Sequence, residues 1–204
     1  MITTDNRDDT KERILDAALK RFIHYGAGKT TMNEIAEDLH CSKAALYYYF
    51  PDKHGLHMAV LERISELLFQ AVETEMTKMV SASHTLLNIL DIKYEFGCRF
   101  CQLEIFKIIQ EKKLITSEQF QEFRNRELHL LTRIFEAGHA HGEFQLKNAN
   151  VIAQLYQDTM EGIRYVITDG IPPMDVHSKD NFLKIIQQQR AIAKIFINGL
   201  KYKE

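Results

Sequence analysis

Ser42, Lys43, Ala44 and Ala45, with Tyr47, Tyr48 and Tyr49 directly behind them, carry the most legible chemistry in this chain. A lysine donates to the O6 and N7 of guanine, and a small apolar side chain such as alanine touches a thymine methyl. Two alanines also keep a helix slim enough to approach a groove floor. A phenol donates a hydrogen bond to a phosphate oxygen without carrying a charge. Three consecutive tyrosines on a helix turn by about 100° each, so at least one packs inward while the others face outward. Together these residue types suit a helix whose N-terminus reads base edges and whose flank grips the backbone of double-stranded DNA.

Such a set works only if something holds it. Thr31 and Glu34 form an S/T-x-x-E capping box, which starts a first helix. Ile35, Ala36 and Leu39 give it an apolar face, and it ends near Leu39–His40. His40 stands where glycine is the usual left-handed residue. Ser42 caps a second helix from Lys43 to about Tyr49, and Pro51 lies just past its end. Leu46 and Phe50, spaced i, i+4, seat this helix on its own core. Two helices joined by a tight turn have the helix-turn-helix geometry, whose second helix enters the major groove. Thr31 and Asn33, at the start of the first helix, join the DNA-facing set. So does Lys53, which opens the next helix, where free N–H groups and the helix dipole favour a phosphate.

The run T-T-x-x-x-I-A-x-x-L-x-C-S-K-x-x-L-Y-Y-Y-F-x-D-K, Thr30 to Lys53, resembles the signature of the tetracycline-repressor (TetR-type) family of transcriptional regulators. Cys41 stands where that family usually has valine, and His40 where it usually has glycine. The segment K-E-R-I-L-D-A-A-L-K-R-F-I-H-Y-G resembles the family's opening helix. The resemblance thus runs through about residues 10–60. I-F-E-A-G-H-A-H-G-E-F, Ile134–Phe144, resembles the family's L-x-x-G-x-x-x-G-E-F/I helix ending. The resemblance implies a three-helix DNA-binding head over residues 1–52 and a helical ligand-binding and dimerisation body over 53–204. It also implies a homodimer paired through the last two helices, and a repressor released from a palindromic operator by a small molecule.

Composition agrees with an all-α soluble chain. Of 204 residues, 45% are hydrophobic and 26% charged, with only 3 Pro and 9 Gly. The polar start M-I-T-T-D-N-R-D-D does not read as a signal peptide. No apolar run approaches the roughly 18 residues that span a membrane. Three cysteines without a disulfide framework fit a reducing cytoplasm. Charge is the discordant datum. Residues 1–60 hold eight Lys/Arg and nine Asp/Glu, a balance of −1, whereas a DNA-binding head is usually basic. Placement rather than net charge must therefore carry the contact, with a shallow salt dependence.

Along the rest of the chain, residues 1–8 read as a disordered arm. Asp9 and Glu12 read as a capping box for a helix from about Thr10 to Tyr25, stopped by Gly26. A long helix runs from Lys53 to about Met79, with His54 and His57 as surface residues. The pattern breaks over Ser81–His84. Leu86 to Phe96 then mark a buried helix that Gly97 kinks or ends. A shorter helix covers Leu103 to Ile109, and a polar linker Lys112–Ser117. Ser117 opens a helix ending near Gly142. Asn148 caps one that runs to Asp169, Gly170 opens a loop, and Asp180 starts the last helix.

Other constellations are weaker. Cys98-x-x-Cys101 places two thiols on one helix face, as a redox switch requires, but the apolar flanks favour core cysteines. A redox-sensing regulator is the alternative reading. His139-x-His141 beside Glu143 is the only sketch of a metal-dependent enzyme, and i, i+2 spacing points the rings apart. Neither a cofactor nor a metal is expected, and no catalytic motif stands out. The ligand, implied by the resemblance, is small and largely apolar. The candidate pocket walls are Tyr94, Phe100, Phe123, Tyr156, Met160 and Tyr165, with Arg99 or Arg164 as polar anchors.

Overall fold

Eight helices account for most of the described residues. In the computed structural model these are residues 5–100, 103, 118–169 and 179–201. The helices are α1 (Asp5–Tyr25), α2 (Met32–Asp38), α3 (Lys43–Tyr49), α4 (Lys53–Thr77), α5 (Ala82–Phe100), α6 (Glu118–Ala140), α7 (Ala149–Asp169) and α8 (Lys179–Leu200). No strand occurs among the described residues, and the fold is all-α. The chain forms two compact units: residues 1–66 with 99–105, and residues 67–98 with 106–204.

The first unit is built on one small core. Ile14, Leu15, Ala18 and Phe22 of α1 are buried, as are Ile35 and Ala36 of α2, Leu46 of α3, Phe50 beyond it, and Leu56, Val60 and Ile64 of α4. Fully burying Leu46 contributes about 1.5–3 kcal/mol. Ion pairs fasten the outside. Arg21 makes a two-pronged bond to Asp38 at 2.7 and 3.1 Å and reaches Glu34 at 3.2 Å, tying α1 to α2. Arg63 of α4 pairs with Glu12 and Asp16 of α1. Gly26 closes α1 with φ +87°, a left-handed turn that side chains resist, and donates to the Phe22 carbonyl.

Three expectations about this unit are corrected. α1 begins at Asp5 rather than Thr10, because nothing between Asp5 and Asp9 breaks a helix. Asp9 is therefore no cap, and Glu12 serves Arg63 instead. The expected arm falls on residues 1–4, outside the described residues, and on 5–8, which are helical. His57 is buried rather than on the surface; its Nε2 lies 3.0 Å from the Leu103 carbonyl, and its ring meets that of Phe22 edge-on. His54 is exposed as expected.

The second unit centres on Phe135, Phe144 and Leu86, with Ile134, Leu90 and Ala153 also fully enclosed. α6 packs along α7, and α7 along α8. The end of α6 explains the G-x-x-x-G-E-F pattern. Gly142, at φ +72°, ends the helix, and the Glu143 N–H returns to the Gly138 carbonyl at 2.8 Å. The chain then turns so that Phe144 lies against Gly138 itself. Glu143 accepts from the N–H groups of Ala82 and Ser83 and from the Ser81 hydroxyl, so it caps α5 from a distant part of the sequence. Burial pushes its carboxyl up, but these hydrogen bonds outweigh that and hold it below the usual range.

Gly97 does not end α5, which runs on to Phe100. Its missing Cβ leaves room for the Phe182 ring, which would lie 2.4 Å away. The break before α5 falls at Lys78–Ser81, slightly earlier than the pattern suggested. The expected helix up to Ile109, the linker Lys112–Ser117 and the loop opening at Gly170 lie outside the described residues, apart from Leu103.

Candidate nucleic-acid interface

The site is assembled by two caps and a turn. Thr31, in extended conformation, accepts from the Glu34 N–H at 3.3 Å, and Glu34 accepts in return from the Thr31 N–H at 2.7 Å. Both members of the capping box are thus in place. The hydrogen bonds from Thr31 and the nearby Arg21 hold the Glu34 carboxyl below its ordinary range. α2 ends on His40, which takes φ +51°. The Cys41 N–H reaches the Ala36 carbonyl and the His40 N–H the Glu37 carbonyl, both at 3.0 Å. That is the Schellman closure, with histidine at the position glycine usually fills. A left-handed residue with a side chain costs about 1–2 kcal/mol, so the turn holds its geometry against a local penalty. Ser42 then accepts from the Ala45 N–H at 3.1 Å and starts α3.

α3 divides as its sequence requires. Leu46 faces inward and is fully enclosed, while Ser42, Lys43, Ala44, Ala45, Tyr47 and Tyr48 are exposed. Tyr48 is the most open of the tyrosines, at 65% exposure. Tyr49 is half-buried, the inward member of the three, and meets Tyr48 edge-to-face at 5.3 Å. The Lys43 ammonium lies 5.8 Å from the centre of the Tyr47 ring, which pre-orders both. Thr31 and Asn33 are exposed at the start of α2. Lys53 is half-buried, and its ammonium donates to the Gly28 carbonyl at 3.2 Å, leaving two of its three N–H bonds for an anion. Asp52 accepts from the Gly55 N–H at 2.7 Å and so caps α4.

The acidic balance of the head now has a physical explanation. Glu12, Asp16, Glu34 and Asp38 are spent on Arg21 and Arg63 within the unit. Composition counts those charges, but the exposed N-terminal turn of α3 holds Lys43 and no carboxylate.

A sequence model of the family described as bacterial regulatory proteins, tetR family, matches residues 14–60, from within α1 through α2 and α3 into α4. Over this segment the chain is a match to the TetR family. The HTH-type transcriptional regulator RutR of Escherichia coli K12 is 44% identical over 57 residues, 28% of this chain and 27% of RutR. The aligned part thus spans about a quarter of the curated relatives first matched. Over nearly the whole chain, the fold is that of a transcriptional regulator from Cytophaga hutchinsonii. The two share 26% identity and a TM-score of 0.85, covering 94% of this chain and 98% of that one. A TetR-family regulator from Pectobacterium atrosepticum shares the fold at 16% identity and TM-score 0.76, covering 98% of each.

The expected pocket residues are placed more diversely. Phe123 lines a cavity of about 20 Å³ in the second unit, together with Phe69, Val72, Ile89, Lys93 and Glu127. Tyr156 and Met160 are buried in the same unit's core. The Tyr156 hydroxyl is enclosed without a hydrogen-bond partner, and burial with the nearby Glu127 charge pushes its titration far up. Tyr94 is half-buried beside Cys98, whose hydrogen bond raises its titration; Arg164 is half-buried and Tyr165 exposed. Phe100 lies in the first unit's core, and the exposed Arg99 stacks on its ring at 5.2 Å. Of the eight, Phe123 lines this cavity. Sequence reasoning passed over Lys93 and Glu127. Their signal was a charge in apolar register, Ile89 to Lys93 and Phe123 to Glu127 to Leu131, each four residues apart.

Of the alternative sites, Cys98 is half-buried, and Cys101 lies outside the described residues. Among the described residues no three His, Cys, Asp or Glu side chains converge as metal ligands. His139 is engaged with the Phe144 carbonyl and Glu143 with the start of α5.

Proposed function

We propose that this protein is a DNA-binding transcriptional regulator that holds a palindromic operator as a homodimer and represses until a small, largely apolar molecule releases it. The observation that carries the reading is the α2–α3 unit, where two side-chain caps and a Schellman turn fix a short helix with Ser42, Lys43, Ala44 and Ala45 bare at its N-terminus. A helix so presented suits base readout, and Tyr47, Tyr48 and Lys53 suit the phosphates beside it. In this reading residues 1–52, with Lys53 at the boundary, contact DNA and residues 53–204 sense and dimerise.

The dimer is supported by an apolar stripe on the outer side of α7. Val151, Leu155 and Val166 are 51%, 52% and 69% exposed, and Ile195 of α8 is 68% exposed. Such exposure of large apolar side chains along one helix suits a covering surface. Gly162 and Gly199 have open space where a Cβ would stand, so a second backbone can approach closely there. A cytoplasmic location fits, and no helix among the described residues is long and apolar enough to cross a membrane. The test is light scattering with DNA titration on Leu155→Glu/Ile195→Glu. A monomer that loses at least tenfold in affinity for a two-half-site duplex supports the reading. A dimer with unchanged affinity overturns the assignment of that face.

A further inference from the structure

The second unit holds a half-buried ion pair at the wall of its apolar cavity, and the two partners are not equally held. Glu127 of α6 is 14% exposed; it accepts from Lys93 of α5 and from Gln157 of α7 at 2.9 Å. Gln157 is itself anchored on the Arg124 carbonyl at 3.0 Å, so the carboxylate is fixed between two helices. Lys93 is 31% exposed, and its flexible stem lies along the cavity that Phe69, Val72, Ile89 and Phe123 line. A lysine can swing its ammonium into water at the end of its chain. The shorter, mostly covered Glu127 carboxylate, held by Gln157, cannot follow, and a largely covered charge that loses its partner is destabilising. The pair therefore opens in one direction: the cation leaves and the anion stays.

From this asymmetry we infer that the cavity is a binding site for a primary alkylammonium, whose N–H groups replace those of Lys93 on Glu127 and whose apolar body takes the place of the lysine stem. As it stands the cavity, about 20 Å³, has room for about one water, so entry requires Lys93 to move. An anionic ligand would take Lys93 and leave the mostly covered Glu127 without its paired cation. A neutral one would leave the pair intact and the cavity closed. Arg124, the other cation near Glu127, is already committed to Asp158 at 3.0 Å and Glu161 at 3.1 Å. Burial pushes the Glu127 carboxyl up, but Lys93 and Gln157 outweigh it, so the carboxylate is charged and ready for a cation. The inference rests on the ligand-sensing reading above and supplies its chemical class.

The experiment uses the full chain and three probes with one body: n-pentylammonium, 1-pentanol and pentanoate, at equal ionic strength. Each is read by calorimetry and by the melting temperature. Pentylammonium binds wild-type protein weakly, because the tethered lysine competes. Lys93→Met removes that competitor and is expected to bind pentylammonium at least tenfold more tightly. At 100 times its Kd the amine then raises the melting temperature by roughly 5–10 °C. Glu127→Gln abolishes the binding. Should Lys93→Met be too unstable to purify alone, recovery of folded protein in pentylammonium but not in pentanol is the same result. Equal response to all three probes, or none to the amine, overturns the inference. If pentanol or pentanoate binds and weakens operator binding, ligand sensing stands and the cationic class fails. If no small molecule alters operator binding although the amine binds, the site stands and sensing fails.

Discussion

Replacing Gly138 by alanine would put a methyl group 2.4 and 2.7 Å from two ring carbons of Phe144 and 2.8 Å from the Ala82 methyl. Real contacts of a Cβ lie beyond 3 Å, and Phe144 is completely enclosed, so its ring has no empty side to retreat to. Overpacking of this kind costs about 1–3 kcal/mol. The displacement has a second consequence. Phe144 follows Glu143 directly, and moving it draws the Glu143 carboxylate from the N–H groups of Ala82 and Ser83. Losing a cap costs about 0.5–2 kcal/mol. Together about 1.5–5 kcal/mol is lost, a fall of roughly 3–20 °C in the melting temperature. The assay is thermal unfolding by circular dichroism on Gly138→Ala, Phe144→Leu and the double variant. The smaller leucine relieves the clash, so the double variant should be at least 1 kcal/mol more stable than the sum of the single effects predicts. A Gly138→Ala melting temperature within 1 °C of wild type, or strict additivity, would refute the packing argument.

His40→Gly should stabilise the head by about 0.5–1 kcal/mol while His40→Ala does not, since only glycine relieves the left-handed turn residue; chemical denaturation of the three proteins checks the order. The Arg21 bond holds Asp38 below its ordinary range, so its contribution is full above about pH 4 and is lost as pH falls through the depressed value. Melting curves between pH 7 and 3 should steepen below pH 4 in wild type and flatten in Arg21→Gln; parallel curves would remove the linkage. With Lys53 at the phosphates and at most Lys43, in the groove beside them, adding to the charge neutralised in each of two heads, two to four charges are neutralised, so the slope of log K against log salt should lie between about −2 and −4. A slope near −8 would mean that basic residues elsewhere carry the contact.

The parts of the fold that were legible are those whose signals are local. Thr31, Glu34, Ser42 and Asn148 bond within three residues of themselves, so α2, α3 and α7 begin where the sequence places them. The capping pattern at Asp9–Glu12 is local and points to too late a start for α1, whereas Glu12 answers to Arg63, 51 residues away. His57 read as surface because histidine usually is; its partner, the Leu103 carbonyl, is 46 residues on. The Lys93–Glu127 pair spans 34 residues and the Glu143 cap about 60. In each case the deciding partner comes from tertiary packing, which periodicity does not encode. Net charge misled for the same reason: it cannot say which carboxylates are already spent on arginines.

The measurement that bears most directly on the central claim is selection of random duplex DNA by wild-type protein, with Lys43→Ala and Tyr48→Ala beside it. A two-half-site palindrome with half-sites about 34–36 Å apart or a multiple of that is expected. Lys43→Ala should relax the preference at one base of each half-site, and Tyr48→Ala should weaken all sites alike. No enriched sequence at low salt, or a palindrome bound equally by all three proteins, would contradict the assignment of α3 as the reading helix.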